Sequence, residues 1–281
     1  MTDNNSNQTV LITGASSGIG AGLAREFVAR GYRVALVARR LEQLESLAAE
    51  LNTSGPRATA HKADVTMDGE IGRVVAELAA RDVVPGIVIA NAGFGIVGKA
   101  QDLALADYRR QLETNVFGVL RTFKESADAL RKTGGRFVIL GSVAGHISAP
   151  GGSPYAMSKF AVRALAEAMH GDLRSIGVAC TLISPGFVDS DIRRVDNRGG
   201  LHAEARDPVP AWLRMPTDKA ARAMVSGILR GKREVIVTFH ARIIVFFARH
   251  LPRFTRWVLL RAGRGARPVP AREESAREDQ R

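Results

Sequence analysis

Tyr155 and Lys159 stand four residues apart in the run Tyr155-Ala-Met-Ser-Lys159. On a helix that spacing puts a phenol and an ammonium side by side on one face. A free phenol has a pKa of about 10, too high to exchange protons readily near neutrality, and a neighbouring positive charge lowers it by favouring the phenolate. The pair is therefore a candidate acid/base for interconverting a carbonyl and an alcohol. Taken alone, the same spacing is often no more than surface. Two further polar residues could work with it. Ser142 follows the apolar run Arg136-Phe-Val-Ile-Leu140, at the strand end where ligands sit in open α/β sheets. Its hydroxyl either meets a substrate oxygen or simply caps the next turn. Asn115 lies in a long helical stretch beside Val116 and Phe117. There a polar side chain needs a partner, which could equally be an ordinary buried one.

A second set of residues could hold a nucleotide. Gly14, Gly18 and Gly20 lie in Thr13-Gly-Ala-Ser-Ser-Gly-Ile-Gly20, just after the β-branched run Thr9-Val-Leu-Ile-Thr13. Glycine lets a backbone approach a pyrophosphate and adopt positive φ. A helix beginning near Gly18 would aim free N–H groups at that phosphate. The spacing is G-x-x-x-G-x-G, unlike the G-x-G-x-x-G of other dinucleotide folds. The second apolar run ends Val37-Ala-Arg39-Arg40, without the acid that commonly holds adenosine ribose hydroxyls. Two guanidinium groups there suit a 2′-phosphate, so NADP(H) is expected over NAD(H). The plainer alternative is that both arginines start an exposed helix.

These residues must be positioned by a parallel sheet. Short apolar runs at 9–13, 33–38, 57–63, 86–90, 136–140, 178–183 and 234–238 alternate with helical stretches at 18–30, 40–52, 67–81, 104–132, 155–176 and 217–230. Such alternation calls for an α/β, Rossmann-type, doubly wound parallel sheet of about seven strands with helices on both faces. One dinucleotide-binding and catalytic domain is expected over residues 1–238. It would include an irregular excursion over 187–216, of the kind that is usually functional.

Composition agrees. The chain has 281 residues, 46% hydrophobic and 24% charged, which excludes wholesale disorder, collagen and coiled coil. A single cysteine, Cys180, excludes an intrachain disulfide framework. The histidines form no ligand-spaced cluster, so no metal is expected. Residues 1–9 lack the order of a signal peptide, no apolar run approaches the ~20 residues that span a bilayer, and a cytoplasmic setting is expected.

Together these motifs resemble the classical short-chain dehydrogenase/reductases. The resemblance rests on Thr13-Gly-Ala-Ser-Ser-Gly-Ile-Gly20, Asp64-Val65, Asn91-Ala92-Gly93, Asn115, Ser142, Tyr155-x-x-x-Lys159, and Pro185-Gly186 running to Ser190. It implies that Tyr155 is the general acid in reduction and the base in oxidation. Lys159 would tune it and bind the nicotinamide ribose, Ser142 would polarise the carbonyl, and Asn115 would hold a water leading from Lys159 to solvent. The cofactor site would comprise Gly14, Ser16, Ser17, Gly18, Ile19, Gly20, Arg39, Arg40, Asp64, Val65, Asn91, Ala92, Gly93, Pro185, Gly186, Val188 and Ser190. Arg39 marks NADP-preferring members, while Ser17 stands where some of these carry a second basic residue. Members commonly assemble as dimers or tetramers, which implies a homo-oligomer.

The expected substrate loops carry Phe94, Ile96, Val97, Ile147, Phe187 and Val188. An apolar lining of this kind suits a lipophilic ketone, aldehyde or secondary alcohol. His146 either touches that substrate or forms wall. Toward the C-terminus, residues 230–267 hold nine arginines and one lysine against Glu234, and so carry most of the net +12. Residues 239–267 interleave arginine with Phe239, Phe246, Phe247, Phe254 and Trp257, and Pro252 divides them into two helical segments. The composition fits a helix lying in a membrane surface or packing on another subunit. Nucleic acid is the least expected partner, for want of any recognition module. Residues 268–281 are expected to be disordered. Two rival functions stand beside a dehydrogenase: a nucleotide-loaded recruitment protein, and an epimerase or dehydratase on the same fold.

Overall fold

The structure, a computed structural model, describes residues 8–194, 197, 204, 207 and 209–262. Its strands are β1 (Thr9–Thr13), β2 (Arg33–Ala38), β3 (Ala58–Lys62), β4 (Pro85–Ala90), β5 (Arg136–Leu140), β6 (Ala179–Ser184) and β7 (Glu234–Ile236). All are parallel, in the order β3-β2-β1-β4-β5-β6-β7. The order reverses between β1 and β4, which opens a crevice at their carboxyl ends. The helices are α1 (Gly18–Ala29), α2 (Leu41–Leu51), α3 (Glu70–Ala79), α4 (Leu105–Leu112), α5 (Gly118–Thr133), α6 (Ser153–Arg174), α7 (Thr217–Leu229), α8 (Phe239–His250) and α9 (Pro252–Ala262).

Two cores sandwich the sheet, as the near-continuous apolar strands require. Val10 and Ile12 of β1 join Leu23 and Phe27 of α1, Leu44 of α2 and Met224 of α7 on one face. Leu11 turns to the other, with Ile71 of α3, Leu130 of α5 and Val162 of α6. The two-residue alternation of strand side chains sends each set to its own side.

Of the departures from the expected element boundaries, three have a clear local cause. The stretch 104–132 is not one helix. Residues Glu113–Phe117 form a wide π turn, and the Gly118 N–H bonds back to the Glu113 carbonyl. Such turns often mark functional sites, and here Asn115 lies within it, buried. The third helix begins at Glu70 rather than 67. The Asp64 carboxylate accepts from the Thr66 N–H and hydroxyl, and Gly69 takes φ 81° at the N-cap. The seventh strand stops at Ile236 because Thr238 instead caps α8, its hydroxyl accepting from the Ala241 N–H. The division at Pro252 is as expected. Within the excursion, Arg193 and Arg214 clasp Asp207 at 2.8 and 3.4 Å. Gly199, Gly200 and Pro208, the end of the basic extension (263–267) and the tail expected to be disordered (268–281) lie outside the described residues.

Glu234 ties α8 to the sheet. His146 Nε2 lies 3.2 Å from its Oε1, and Arg249 donates to Oε2 at 2.7 Å. The imidazole first, then the guanidinium, hold its carboxyl at about 2 against the opposing effect of burial. A carboxylate depressed in the fold stabilises it above the unfolded pKa and loses that contribution as pH falls through the folded value. We therefore expect Glu234→Gln to lower the thermal midpoint at neutral pH by about 2–4 °C. It should also flatten the acid decline between 4.5 and about 2. Superimposable acid curves for the two proteins would contradict this.

Candidate active site

Ser142 leaves β5 in extended conformation, and its hydroxyl oxygen accepts from the Ala144 N–H at 3.1 Å, capping the short turn Val143–Gly145. That leaves the hydroxyl proton to be donated elsewhere. The turn presses against α6, because a Cβ on Gly145 would lie 2.6 Å from the Lys159 carbonyl oxygen. Tyr155 occupies the first turn of α6 and Lys159 the second. The Lys159 ammonium is buried, donates to the Leu140 carbonyl at 2.7 Å, and sits 5.7 Å from the centre of the Tyr155 ring. Burial alone lowers its pKa to about 8. Burial raises the Tyr155 phenol, with the Ser142 hydroxyl and the Arg193 charge pulling the other way. The three residues expected from sequence are thus brought together.

Asn115 stands behind them. Its Oδ1 accepts from the Phe94 N–H at 3.1 Å, and its Nδ2 donates to the Phe94 carbonyl at 3.0 Å and to the Ser158 hydroxyl at 3.1 Å. Ser158 in turn donates to the Tyr155 carbonyl. The amide is therefore satisfied, and through Ser158 it is linked to the backbone of Tyr155.

The glycine turn has the shape of a phosphate cradle. Gly14 and Gly18 take φ +65° and +54°, in the left-handed region that glycine occupies at no steric cost. A Cβ at Gly14 would lie 2.8 Å from Ala92 Cα, and one at Gly20 would lie 2.3 Å from the Gly14 oxygen. The first turn of α1 has no side-chain cap, so its N–H groups remain available to an anion. Asn91 closes the cradle by donating to the Thr13 and Gly14 carbonyls. These features fit the pyrophosphate of a dinucleotide. Ser16, Ser17 and Ile19 line the turn, and Gly93 packs on Asn115.

The two arginines after β2 diverge. Arg40 donates to the Ser16 and Ser17 hydroxyls at 2.9 and 3.0 Å, and exposed Arg39 lies 4.0 Å from Asp64. Arg39 and Asp64 border a groove of about 740 Å³ along the ends of β2 and β3. Val65 is buried against Gly118, where a Cβ would lie 2.8 Å from its Cγ2.

Beyond β6 the placements are mixed. The Pro185 carbonyl accepts from the Val143 N–H. Gly186 has a local reason to be glycine, since its Cβ would lie 2.2 Å from the Thr238 hydroxyl and 2.5 Å from His240 Nε2. Ser190 approaches Gly18, whose Cβ would meet it at 3.4 Å. Phe187 stays partly exposed, as do Phe94, Val97 and Ile147. Ile96 and Val188 do not join them: both side chains are core. His146 is buried as well, its Nε2 3.2 Å from both the Ser184 hydroxyl and Glu234. It serves as a strut, because the turn after Ser142 carries it into the edge of the sheet.

Several positioning residues escaped the sequence reading. Gln111, fully buried one turn before Asn115, accepts from the Ile96 N–H and donates to the Phe94 carbonyl. The Thr13 hydroxyl accepts from the Asn91 and Ala92 N–H groups. Asn197 pairs with both backbone groups of Val97. The i, i+4 spacing of Gln111 and Asn115 was the one visible sign of the first pair; the others depend on contacts between distant residues.

The buried ammonium has a measurable consequence. Between 10.5 and about 8 the unfolded chain would take up the lysine proton before the folded one does. Stability contributed at this position therefore rises with pH across that interval and falls as pH drops through it. The thermal midpoint of the wild type should gain on that of Lys159→Met as pH rises through the window. A difference independent of pH would show that the ammonium is not desolvated.

The chain is similar to known proteins over most of its length. The family model for short chain dehydrogenase matches residues 8–199. A Myxococcus xanthus protein described as an uncharacterized oxidoreductase is 34% identical over 247 residues, covering 87% of this chain and 93% of its own. A Sphingobium yanoikuyae short-chain dehydrogenase solved in complex with NADPH superposes with TM-score 0.72 at 29% identity, over 92% of this chain and 98% of its own. A Burkholderia phymatum short chain dehydrogenase/reductase solved in complex with NAD has the same fold, with TM-score 0.78 at 22% identity over 95% and 98% of the two chains. The chain belongs to the short-chain dehydrogenase/reductase family of oxidoreductases.

Proposed function

We propose that the protein is an NADP(H)-dependent oxidoreductase acting on the carbonyl or secondary alcohol of a lipophilic small molecule, with Tyr155 as general acid and base. The observation that carries the reading is the Tyr155 phenol held between Ser142 and the buried Lys159 ammonium, beside the glycine cradle. Bound NADPH supplies the hydride that a carbonyl carbon needs. Tyr155 supplies the proton to the carbonyl oxygen in reduction and takes it back in oxidation. Its raised pKa keeps it protonated at neutral pH, ready to donate. Lys159, at about 8, still carries its charge there and stabilises the phenolate left after transfer. Ser142 has its own proton free to hydrogen-bond the same substrate oxygen.

NADP(H) preference is supported by the absence of an acid after β2 and by two guanidinium groups at the adenosine end of the cradle. A lipophilic substrate is supported by the partly exposed apolar side chains of Phe94, Val97, Ile147 and Phe187. Self-association is supported by Phe117, Met157 and Phe160, which stand exposed on adjoining helical segments.

Oxidation of NADPH against ketones and aldehydes graded in lipophilicity tests the reading. Tyr155→Phe should lose turnover by about 10²–10⁴-fold while still binding NADPH; undiminished turnover would refute the assignment. Arg39→Asp should weaken NADPH more than NADH, and an equal loss for both would remove the case for NADP. Product formed without net NADPH consumption would point instead to an epimerase or dehydratase.

A further inference from the structure

Helix α8 has two unlike sides. Ala241 and Val245 are buried against the body of the protein, while Phe239, Ile243 and Phe246 face outwards, 74%, 41% and 56% exposed. Helix α9 packs against α8, and its Phe254, Trp257, Val258 and Leu260 are all exposed. An eleven-residue helix is marginal in water on its own propensity. Exposed aromatic and aliphatic groups on such a helix call for a cover.

The rings are ordered. Phe246 and Phe247 lie 5.7 Å apart, Phe247 and Phe254 6.1 Å, and Phe254 and Trp257 6.2 Å, centre to centre. This aromatic ladder crosses the joint between the helices. The Arg261 guanidinium lies 4.3 Å above the Trp257 ring. Residues 239–262 contain five arginines and no acid. Arg249 reaches back to Glu234, but Arg253 and Arg256 have no carboxylate partner among the described residues.

The charge decides what covers this face. Two-fold pairing with a second copy would set a patch against itself, stacking arginines on arginines around the ladder with no acid in either segment. An anionic lipid surface satisfies both halves of the pattern. Aromatic rings settle at the boundary between headgroup and acyl chain, and arginines reach the phosphates. No described helix is long and apolar enough to cross a membrane, so the pair would lie in the surface rather than span it. We propose that α8 and α9 dock the protein onto an anionic phospholipid bilayer, with the Phe246–Trp257 ladder inserted and Arg253 and Arg256 at the headgroups.

The docking helix also adjoins the substrate side of the fold. His240 Nε2, at the start of α8, accepts from the Phe187 N–H at 3.0 Å, and the two rings stack at 5.3 Å. Docking therefore brings Phe187, one of the proposed substrate contacts, toward the lipid, where an apolar substrate is concentrated. This consequence, unlike the docking itself, rests on the oxidoreductase reading.

The test uses the full chain with Trp212→Phe. Trp212 is the other of the two tryptophans and is itself exposed, so Trp257 then reports alone. With vesicles of phosphatidylcholine containing about 30% phosphatidylglycerol, the protein should co-sediment and Trp257 emission should shift to the blue, both weakened by salt. Vesicles of phosphatidylcholine alone should bind far less. Phe254→Ala with Trp257→Ala, and separately Arg253→Glu with Arg256→Glu, should each lower partitioning about tenfold or more with the circular dichroism and NADPH binding unchanged. Equal partitioning of the variants, or no dependence on phosphatidylglycerol, overturns the proposal. So does a dimer in lipid-free ultracentrifugation that depends on the ladder, which would assign the face to a second copy, or binding of a DNA duplex without binding of vesicles. Vesicle binding with no NADPH oxidation on any carbonyl substrate would support docking and overturn the reading on which its consequence rests.

Discussion

A lysine ammonium buried against a strand carbonyl is the constraint around which the site is arranged. Removing an ammonium from water is costly unless it is hydrogen-bonded, and Lys159 meets the Leu140 carbonyl at 2.7 Å. That bond fixes the second turn of α6 against the end of β5. Tyr155, one turn earlier, then faces the same side, and Ser142, two residues beyond Leu140, is already there. The environment pushes the two titrating groups in opposite senses: burial lowers the ammonium to about 8 and raises the phenol. At neutral pH the phenol therefore keeps its proton while the ammonium keeps its charge.

The cradle and the Ser142–Tyr155–Lys159 cluster are joined by one loop. Residues 91–97 leave β4 at the point where strand order reverses. Thr13 holds the loop at Asn91 and Ala92, Asn115 at Phe94, Gln111 at Ile96, and Asn197 at Val97. Gly95 passes beside the Tyr155 ring, where a Cβ would lie 3.5 Å from the ring edge. One face of the segment thus meets the glycine turn and the other meets the tyrosine. Its backbone is satisfied by side chains rather than by a ladder, so several polar residues must all be present for it to hold one path.

The sheet was legible because its strands are short, apolar and separated by helical periodicity, and because glycine and proline punctuate the breaks. The cradle and the Tyr155–Lys159 pair were legible because each is local in sequence. What could not be read depends on distant partners. Nothing near Gln111 announces that it will bond residues fifteen and seventeen positions away. The π turn is invisible because the residues around it keep an ordinary helical pattern. His146 stayed open between substrate contact and wall because its buried environment is set by Glu234 and Ser184, each on another strand. Apolar type alone could not tell that Ile96 and Val188 are buried while Phe94 and Phe187 stay partly exposed.

The basic extension was open to contrary readings because composition averages over two faces. The inner face of α8 belongs to the fold. Ala241 and Val245 are fully buried, Thr238 caps the helix, and Gly186 has no room for a side chain because Thr238 and His240 press against it. Burial also lowers the pKa of His240, which keeps its Nε2 free to accept the Phe187 N–H. The outer face, with α9, has no such partners among the described residues. A single run of residues thus both packs beside Phe187 and presents an aromatic surface uncovered by the described residues. Whatever covers the outer face therefore acts on a helix already bonded, through His240, to the backbone of Phe187.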